Sequence, residues 1–449
     1  MAGKIFQPRR LPERETVNLM DKILWMKLVL GGSLAVLSVL LARCDPLRSL
    51  SNRNFTCGTT LASAGIRLIF VGVVYGIAGA SVPSDVPTYY FEPGERVLHG
   101  EVPYRDFVTS YAPLFSYVAA FLVKIWHDPR VFVAFAILLD IASLPFWQAA
   151  ARSHFPEIAV RRATWLYALN PVVIFVIGVG TNQVWIAFLL AVALLAAVRG
   201  KSLLSGFALG LGLVAVKLLV LIFVPAIFML ALNRTRWILG FLLPTVGVYG
   251  IFQVCGVDVL VPLRTEGLLT SGGNLPFLLT VAGVHLSGSA GMAWMAALAG
   301  AMAMLVLLFM KRFKRTNPFT AWHFAAFLFV VFMCLSRKSY TSYLVLGFFL
   351  LCLSVSSRPC LRWRETAVFA VFLLAAALEP SAFHRWLSGV EGRTLAPLFG
   401  DPSLDSLQRT RLSLLTGLQV VLIASYAWLG LESFRQAFSS GHSTGTVKA

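Results

Sequence analysis

Charge is what this sequence has least of. Only 13% of its 449 residues are Asp, Glu, Lys or Arg, against about 25% in a soluble globular chain. Hydrophobic residues make up 58%, and the mean hydropathy is +0.77. That balance disfavours a soluble enzyme and a disordered chain. Cysteine is scarce too. The six cysteines (44, 57, 255, 334, 352 and 360) have neither zinc-ligand spacing nor a disulfide framework. There is no strand signal, short internal repeat, low-complexity segment or long soluble domain. No small-x-small site follows the apolar run Ile23–Leu41, so no cleavable leader is expected. What remains in quantity is long apolar runs, and they predict an all-α polytopic membrane protein.

Apolar runs fall at 61–80, 131–150, 163–178, 183–198, 202–216, 219–232, 237–254, 291–310, 319–335, 340–355, 366–379 and 412–431. They predict a bundle of about 12–13 transmembrane helices. Several are shorter than the ~20 residues of a full span, as happens where broken backbone lines a wet cavity. The net charge of +18 would suggest nucleic acid in a soluble protein. Here the bases sit in short connections: Arg152/Arg161/Arg162, Arg199/Lys201, Arg234/Arg236, Lys311/Arg312/Lys314/Arg315 and Arg358/Arg362/Arg364. Only Glu157 and Glu365 accompany them. Alternating spans put all five on one side, read as cytoplasmic by the positive-inside rule, and no nucleic-acid partner is expected.

The other side then holds the long loops 81–130, 255–290 and 380–411. Three regions follow: 1–60, a cytoplasmic N-terminus with a re-entrant or extra apolar segment; 61–355, a transmembrane core; and 356–449, C-terminal helices. Residues 23–41 resist placement, because Lys4, Arg9, Arg10, Arg14 and Lys22 argue for an internal N-terminus while the alternation requires an external one. Pro113–Trp126 is read as an amphipathic helix on the external surface, since counting it as a span would invert every later loop.

Candidate chemistry gathers on the long-loop side. Asp85 lies a few residues beyond the first core span, where partial desolvation suits a general base; a solvated loop aspartate is the bland alternative. Asp106 has Arg105 beside it as a simple partner. Asn182 follows Gly178-Val179-Gly180-Thr181 at the outer end of a span. Lys217 lies between two apolar runs, where a lysine either serves function or snorkels to the interface. Arg337-Lys338-Ser339-Tyr340-Thr341-Ser342-Tyr343 is a third polar island. Cations on this face are what an anionic lipid headgroup needs.

The order of these elements resembles the GT-C class of polyprenyl-phosphate-sugar-dependent glycosyltransferases. Within it the chain looks most like bacterial polyprenol-phosphate-mannose-dependent mannosyltransferases and the catalytic subunit of the first GPI mannosyltransferase, over about residues 80–350. Asp85 before Tyr89 resembles the acid that opens the family's first external loop. Gly100…Pro103-Tyr104 resembles its Gly-x-x-Pro-Tyr, and Tyr111-Ala112-Pro113-Leu114 its Tyr-(Pro/Thr)-Pro-Leu. Leu169-Asn170-Pro171 and Gly180-Thr181-Asn182 resemble its Asn-Pro and Gly-(x)-Asn stretch. Lys217 falls where the family has Lys before Tyr-Pro, and Lys338…Thr341-Ser342-Tyr343 resembles Lys-x-x-Thr-Ser-Gln-Tyr. The chain departs in having one acid where GPI-type members have Asp-x-Asp, in Leu219-Val220 for Tyr-Pro, and in lacking Gln after Ser342.

The resemblance implies inverting transfer of mannose from a polyprenyl-phosphate donor to a glycolipid or glycan hydroxyl on the extracytoplasmic face. Asp85 is then the catalytic base. Lys217 and Lys338, with Arg337, would meet the donor phosphate. Tyr89, Tyr104, Asp106, Asn182 and Tyr343 would contact substrate. No cofactor beyond the lipid-linked donor is implied, and no second carboxylate stands at a fitting spacing to support a divalent metal. The setting would be a bacterial plasma (inner) membrane, or the ER membrane in a eukaryote. Two alternatives stand: a flippase for lipid-linked sugar, and a non-catalytic GT-C-like subunit that acts with a partner. A transporter is expected to carry ionisable groups near the midplane and an internal repeat, and neither is read from the sequence.

Overall fold

The computed structural model describes residues 13–83, 85–262, 271–284, 286, 288–313, 318–358, 361–387 and 406–438. Lys4, Arg9, Arg10, Lys314, Arg315 and most of the 380–411 loop lie outside the described residues. Among these, no strand forms, and the single bridge joins Pro103 to Phe107.

The first half consists of α1 (Glu13–Cys44), α2 (Asn52–Val71, extended by a π turn to Ile77), α3 (Glu92–Leu98), α4 (Phe115–Ile125), α5 (Arg130–Ala151), α6 (Glu157–Ala168), α7 (Pro171–Gly178), α8 (Gln183–Val198) and α9 (Ser202–Ala215). The second half is α10 (Val224–Leu230), α11 (Arg234–Val254), α12 (Leu275–Val281), α13 (Gly288–Arg312), α14 (Phe319–Leu335), α15 (Phe348–Ser356), α16 (Trp363–Leu387) and α17 (Ser406–Phe438). Short 3₁₀ turns at Leu218–Ile222 and Thr341–Leu346 precede α10 and α15.

Among the described residues, seven helices are long and apolar enough to cross a membrane, and the bent pair α6–α7 makes an eighth if it is taken as one span. The chain is therefore an all-α, multi-pass membrane protein. Several of the other expected spans are α8, α9 and α14, apolar helices of 17 residues or fewer. The runs 219–232 and 340–355 are each a 3₁₀ turn joined to a short helix.

Two ends of the bundle can be told apart. At one, the 44–52 turn meets the 152–161 turn: Arg161 donates to the carbonyls of Leu47 and Leu50 and pairs with Asp45 and Glu157. Arg43 donates to the Leu361 carbonyl, and Arg358 pairs with Glu365 and Glu432. The 199–202 and 231–234 turns touch here through Asn233 N–H and Ser202 Oγ. This is the basic end. The opposite, long-loop end carries 78–130, 216–218 and 336–340. Because α1 reaches the basic end at Cys44, its other end lies at the long-loop end, with Lys27 near Glu379 of α16. Thus α1 is one continuous helix between the two ends and a candidate span, where the sequence left open a re-entrant segment, a surface-lying one or an ordinary span that breaks the charge rule.

Helix α4 is 11 residues long, about 16 Å and too short to span. It buries Phe115, Ala119 and Val123 and exposes Phe121 and Ile125. It packs on α3, where Gly94 lies against the Ala119 and Ala120 backbone. Helices α9 and α11 approach backbone to backbone. A Cβ on Gly206 would strike the Trp237 carbonyl, one on Gly210 the Phe241 carbonyl, and one on Gly240 the Leu203 carbonyl. In lipid, where apolar burial drives little between helices, such small residues let backbones approach and dispersion act.

The α6–α7 break bends the chain by 46°. Asn170 caps α7 by accepting from the Val172 and Val173 N–H groups, and Pro171 takes the first helical position. On the other side of the break, Arg67 donates to the Ala168 carbonyl and to Ser63 O. Arg67 Nε pairs with Asp140 at 2.5 Å, both side chains 1% exposed, and Tyr167 OH donates to Asp140 Oδ1 at 2.6 Å. Asp140 sits halfway along α5. The expectation that no ionisable group lies deep in the bundle is therefore corrected: an Arg–Asp pair sits there because an interrupted helix frees backbone groups that need partners.

Candidate functional site at the long-loop end

The first loop is built to bring Tyr111 to Lys217. After Asp85, a π turn at Pro87–Phe91 carries Tyr89 outward and Tyr90 inward: Tyr89 is exposed and Tyr90 buried. The chain reverses at 100–107 through Gly100 and Tyr104, both at positive φ (+88° and +66°). Tyr104 OH donates to the Tyr111 carbonyl, fixing the far side of the turn. Residues 112–114 then run beside the end of α9, with Ala112 N–H on Val216 O (3.1 Å) and Leu114 N–H on Val214 O (2.9 Å). These two bonds set the loop directly against the residue before Lys217.

The Lys217 ammonium lies 4.6 Å from the Tyr111 ring centroid and 5.4 Å from that of Tyr343, cation–π distances. Asp85 is close enough for its charge to act on Lys217 and on Tyr90, Tyr111, Tyr340 and Tyr343. Lys338 lies over the Tyr340 ring at 6.0 Å and feels the charge of Lys217. Burial lowers Lys217 to about 8 against the opposing pull of Asp85. Burial, then repulsion from Lys217, lowers Lys338 to about 7. One carboxylate and two lysines thus face a common wall of tyrosines.

Asn182 joins this wall from α8. It is fully buried, and its backbone N–H donates to Tyr90 OH at 3.2 Å. Tyr90 stacks edge-on to Tyr111 at 5.3 Å. Neither Asn182 amide atom has a hydrogen-bond partner among the described residues. A buried polar group left so costs about 1–3 kcal/mol, which marks the position as one suited to a polar ligand.

Two expected site residues have other work. Asp106 accepts from Val102 N–H (2.7 Å) and pairs with Arg105 (2.7 Å). Those bonds, led by Arg105, hold its carboxyl down at about 2, and its role is to close the 100–107 turn. Arg337 is buried with Nη1 against Gly291 at the start of α13, while its carbonyl accepts from Ser271 N–H. These contacts tie α13 to the 271–274 turn, so the tyrosine wall gathers two cations by described contacts where the sequence suggested three.

A buried cluster behind Lys338 was not singled out in the sequence. Glu379 of α16 accepts from Thr341 Oγ1 (2.9 Å) and from Gln419 Nε2 (3.1 Å). Gln419 Oε1 in turn accepts from Gly273 N–H (2.6 Å), and Lys27 supplies the counter-charge. Thr341 begins the 3₁₀ turn that carries Tyr343, so this cluster fixes the floor under Lys217. The available signal was a charge or amide inside each of three apolar runs. Among the described residues, no group of three or more His, Cys, Asp or Glu could hold a metal ion. No family model matches the chain, and neither does any curated protein.

Proposed function

We propose that the chain is an integral membrane glycosyltransferase that moves mannose from a polyprenyl-phosphate donor to an acceptor hydroxyl. The observation that carries the reading is the convergence of Asp85, Lys217 and Lys338 on one tyrosine-lined face at the end away from the basic turns. With the basic turns in the cytoplasm, that face is extracytoplasmic, in a bacterial plasma membrane or an ER membrane. A sugar used there arrives on a lipid, and its phosphate leaving group needs positive charge.

The acceptor oxygen attacks the anomeric carbon, and its proton passes to the Asp85 carboxylate. The bond between anomeric carbon and phosphate oxygen breaks, and its electron pair leaves with the polyprenyl phosphate. Lys217 and Lys338 meet the developing charge, an effect worth a few kcal/mol in a poorly hydrated site. The base contributes about 10²–10⁴-fold. Asn182, Tyr89 and Tyr343 would orient sugar or acceptor, while Tyr104 holds the loop through the Tyr111 carbonyl.

A flippase for the same lipid has one observation in its favour, the buried Arg67–Asp140 pair beside a broken helix. Purified protein given radiolabelled polyprenyl-phosphate-mannose and membrane acceptors separates the readings. Label on an acceptor is the expected result. Redistribution of label between vesicle leaflets without transfer replaces the enzyme with a flippase, and the absence of both transfer and redistribution points to a non-catalytic subunit with a partner.

A further inference from the structure

Lys338 is pinned on both sides, and both pins lead back to one carboxylate. Ahead of it, the Arg337 carbonyl accepts from Ser271 N–H at 2.9 Å. Behind it, Thr341 Oγ1 donates to Glu379 Oε2 at 2.9 Å. The 271–274 turn that makes the first pin is itself tied to Glu379. Gly273 N–H donates to Gln419 Oε1 at 2.6 Å, and Gln419 Nε2 donates to Glu379 Oε1 at 3.1 Å. The two turns also touch. Gly273 has φ +83°, and a Cβ on it would come within 3.1 Å of Thr341 Cγ2.

Glu379 differs from the buried Asp140, whose arginine partner serves a carbonyl freed at a broken helix. It is 3% exposed within α16, with Lys27 of α1 as counter-charge. A carboxylate inside a span is expensive, and each hydrogen bond this one accepts leads to a turn at the long-loop end. Thr341 opens the 3₁₀ turn that carries Tyr343. The Tyr343 ring lies 5.4 Å from the Lys217 ammonium and 5.5 Å, edge-on, from the Tyr340 ring that lies under Lys338. A shift of residues 337–341 therefore moves Lys338 and the aromatic support of Lys217 together.

We propose that Glu379 is a positioning residue: through Thr341 and the Gln419–Gly273 link it sets where Lys338 and Tyr343 stand relative to Lys217, and so the spacing of the two cations offered to the donor phosphate. The identity of that anion rests on the sugar-transfer reading; the placing of Lys338 does not. Glu379 touches no reacting atom, and what the turns require of it is hydrogen bonding. An amide in its place keeps both contacts, its oxygen accepting from Gln419 and its NH₂ donating to Thr341 Oγ1. A leucine keeps neither. A hydrogen bond from a charged donor is worth about tenfold or more, and a misplacement of about 1 Å is enough to lose it.

Two double variants remove both buried charges and differ only in hydrogen bonding: Lys27→Met/Glu379→Gln and Lys27→Met/Glu379→Leu. Thr341→Val cuts the direct pin with little change of shape, and carries the same prediction should the leucine variant not fold. Donor KM and kcat are measured with polyprenyl-phosphate-mannose. The titration of Lys338 is followed separately by NMR of the full chain after reductive carbon-13 methylation, with Lys338→Arg to assign the signal. The glutamine variant should match the parent in both readouts. The leucine variant and Thr341→Val should raise donor KM by about tenfold or more, with a smaller change in kcat. In both, the Lys338 titration should move up from about 7, as a looser turn gives the ammonium more water and more distance from Lys217. An unmoved titration and a parental donor KM, with only a lower melting temperature, would overturn the proposal. So would a glutamine variant as impaired as the leucine one. If no protein transfers sugar, the titration still decides: movement with leucine but not with glutamine upholds the positioning role and refutes the sugar-transfer reading alone.

Discussion

Replacing Asp140 with leucine is the sharpest test of how the bundle is held. The change leaves the Arg67 guanidinium, 1% exposed, without its carboxylate. Removing one partner of a buried pair costs about 3–5 kcal/mol, because the survivor stays charged and dry. Tyr167 also loses its acceptor, a charged hydrogen bond worth about 1.5–3 kcal/mol, so Asp140→Leu belongs at the upper end of that range. The double variant Arg67→Met/Asp140→Leu removes the stranded charge and should recover most of the loss. Recovery will be incomplete, since Arg67 also caps the Ala168 carbonyl, and an orphaned carbonyl costs about 1–3 kcal/mol. Unfolding in mixed micelles with rising dodecyl sulfate, followed by far-UV circular dichroism, measures all three proteins without reference to function. The reasoning fails if Asp140→Leu lies within 1 kcal/mol of the parent, or if the double variant is no milder than the single one.

The proposed chemistry makes further demands. Asp85→Asn should insert and fold normally yet lose about 10²–10⁴-fold in sugar transfer; full activity in that variant discards the base. The lysines predict an alkaline limb. Their charged forms bind phosphate, and burial has brought them to about 8 and 7, so apparent donor affinity should fall as pH rises through 7–8. Lys217→Arg keeps its charge above that range and should move the limb upward; a donor KM flat from pH 6 to 9 in the parent would count against the phosphate role. Gly210→Val places a methyl group into the Phe241 carbonyl, and parting α9 from α11 should lower the apparent melting temperature measurably. An unchanged melting temperature would show that those backbones do not need their close approach.

Much of the architecture is legible in the sequence because hydrocarbon imposes a one-dimensional code. A span must satisfy its own backbone, so apolar length alone located 131–150, 183–198, 202–216 and 319–335 to within a residue or two of the observed helices. The alternation of basic turns ordered the two ends for a similar reason. The helix interruptions are harder to read, since 219–232 is apolar throughout and 340–355 nearly so after Thr341-Ser342, and yet both begin as 3₁₀ turns. What breaks them is tertiary: the 112–114 segment takes the carbonyls of Val214 and Val216, and Glu379 takes Thr341.

Partnership is where linear reading stops. Arg67 and Asp140 look like isolated blemishes in two apolar runs 73 positions apart (140 − 67), and only the fold shows them to be one salt bridge serving a third helix. Lys27, Glu379 and Gln419 are likewise single polar letters in three separate runs. A polar residue inside an apolar run is expensive alone, so each such letter implies a partner in some other run without saying which. Arg337 and Lys338 show the converse. Neighbours in sequence and alike in charge, they part company at the 336–340 turn, one packed against Gly291 and the other over Tyr340. Joining Arg337 to Lys338 as a phosphate ligand followed from their adjacency in one polar island and from the family resemblance. Backbone direction through five residues decides which of them reaches the face shared with Asp85 and Lys217.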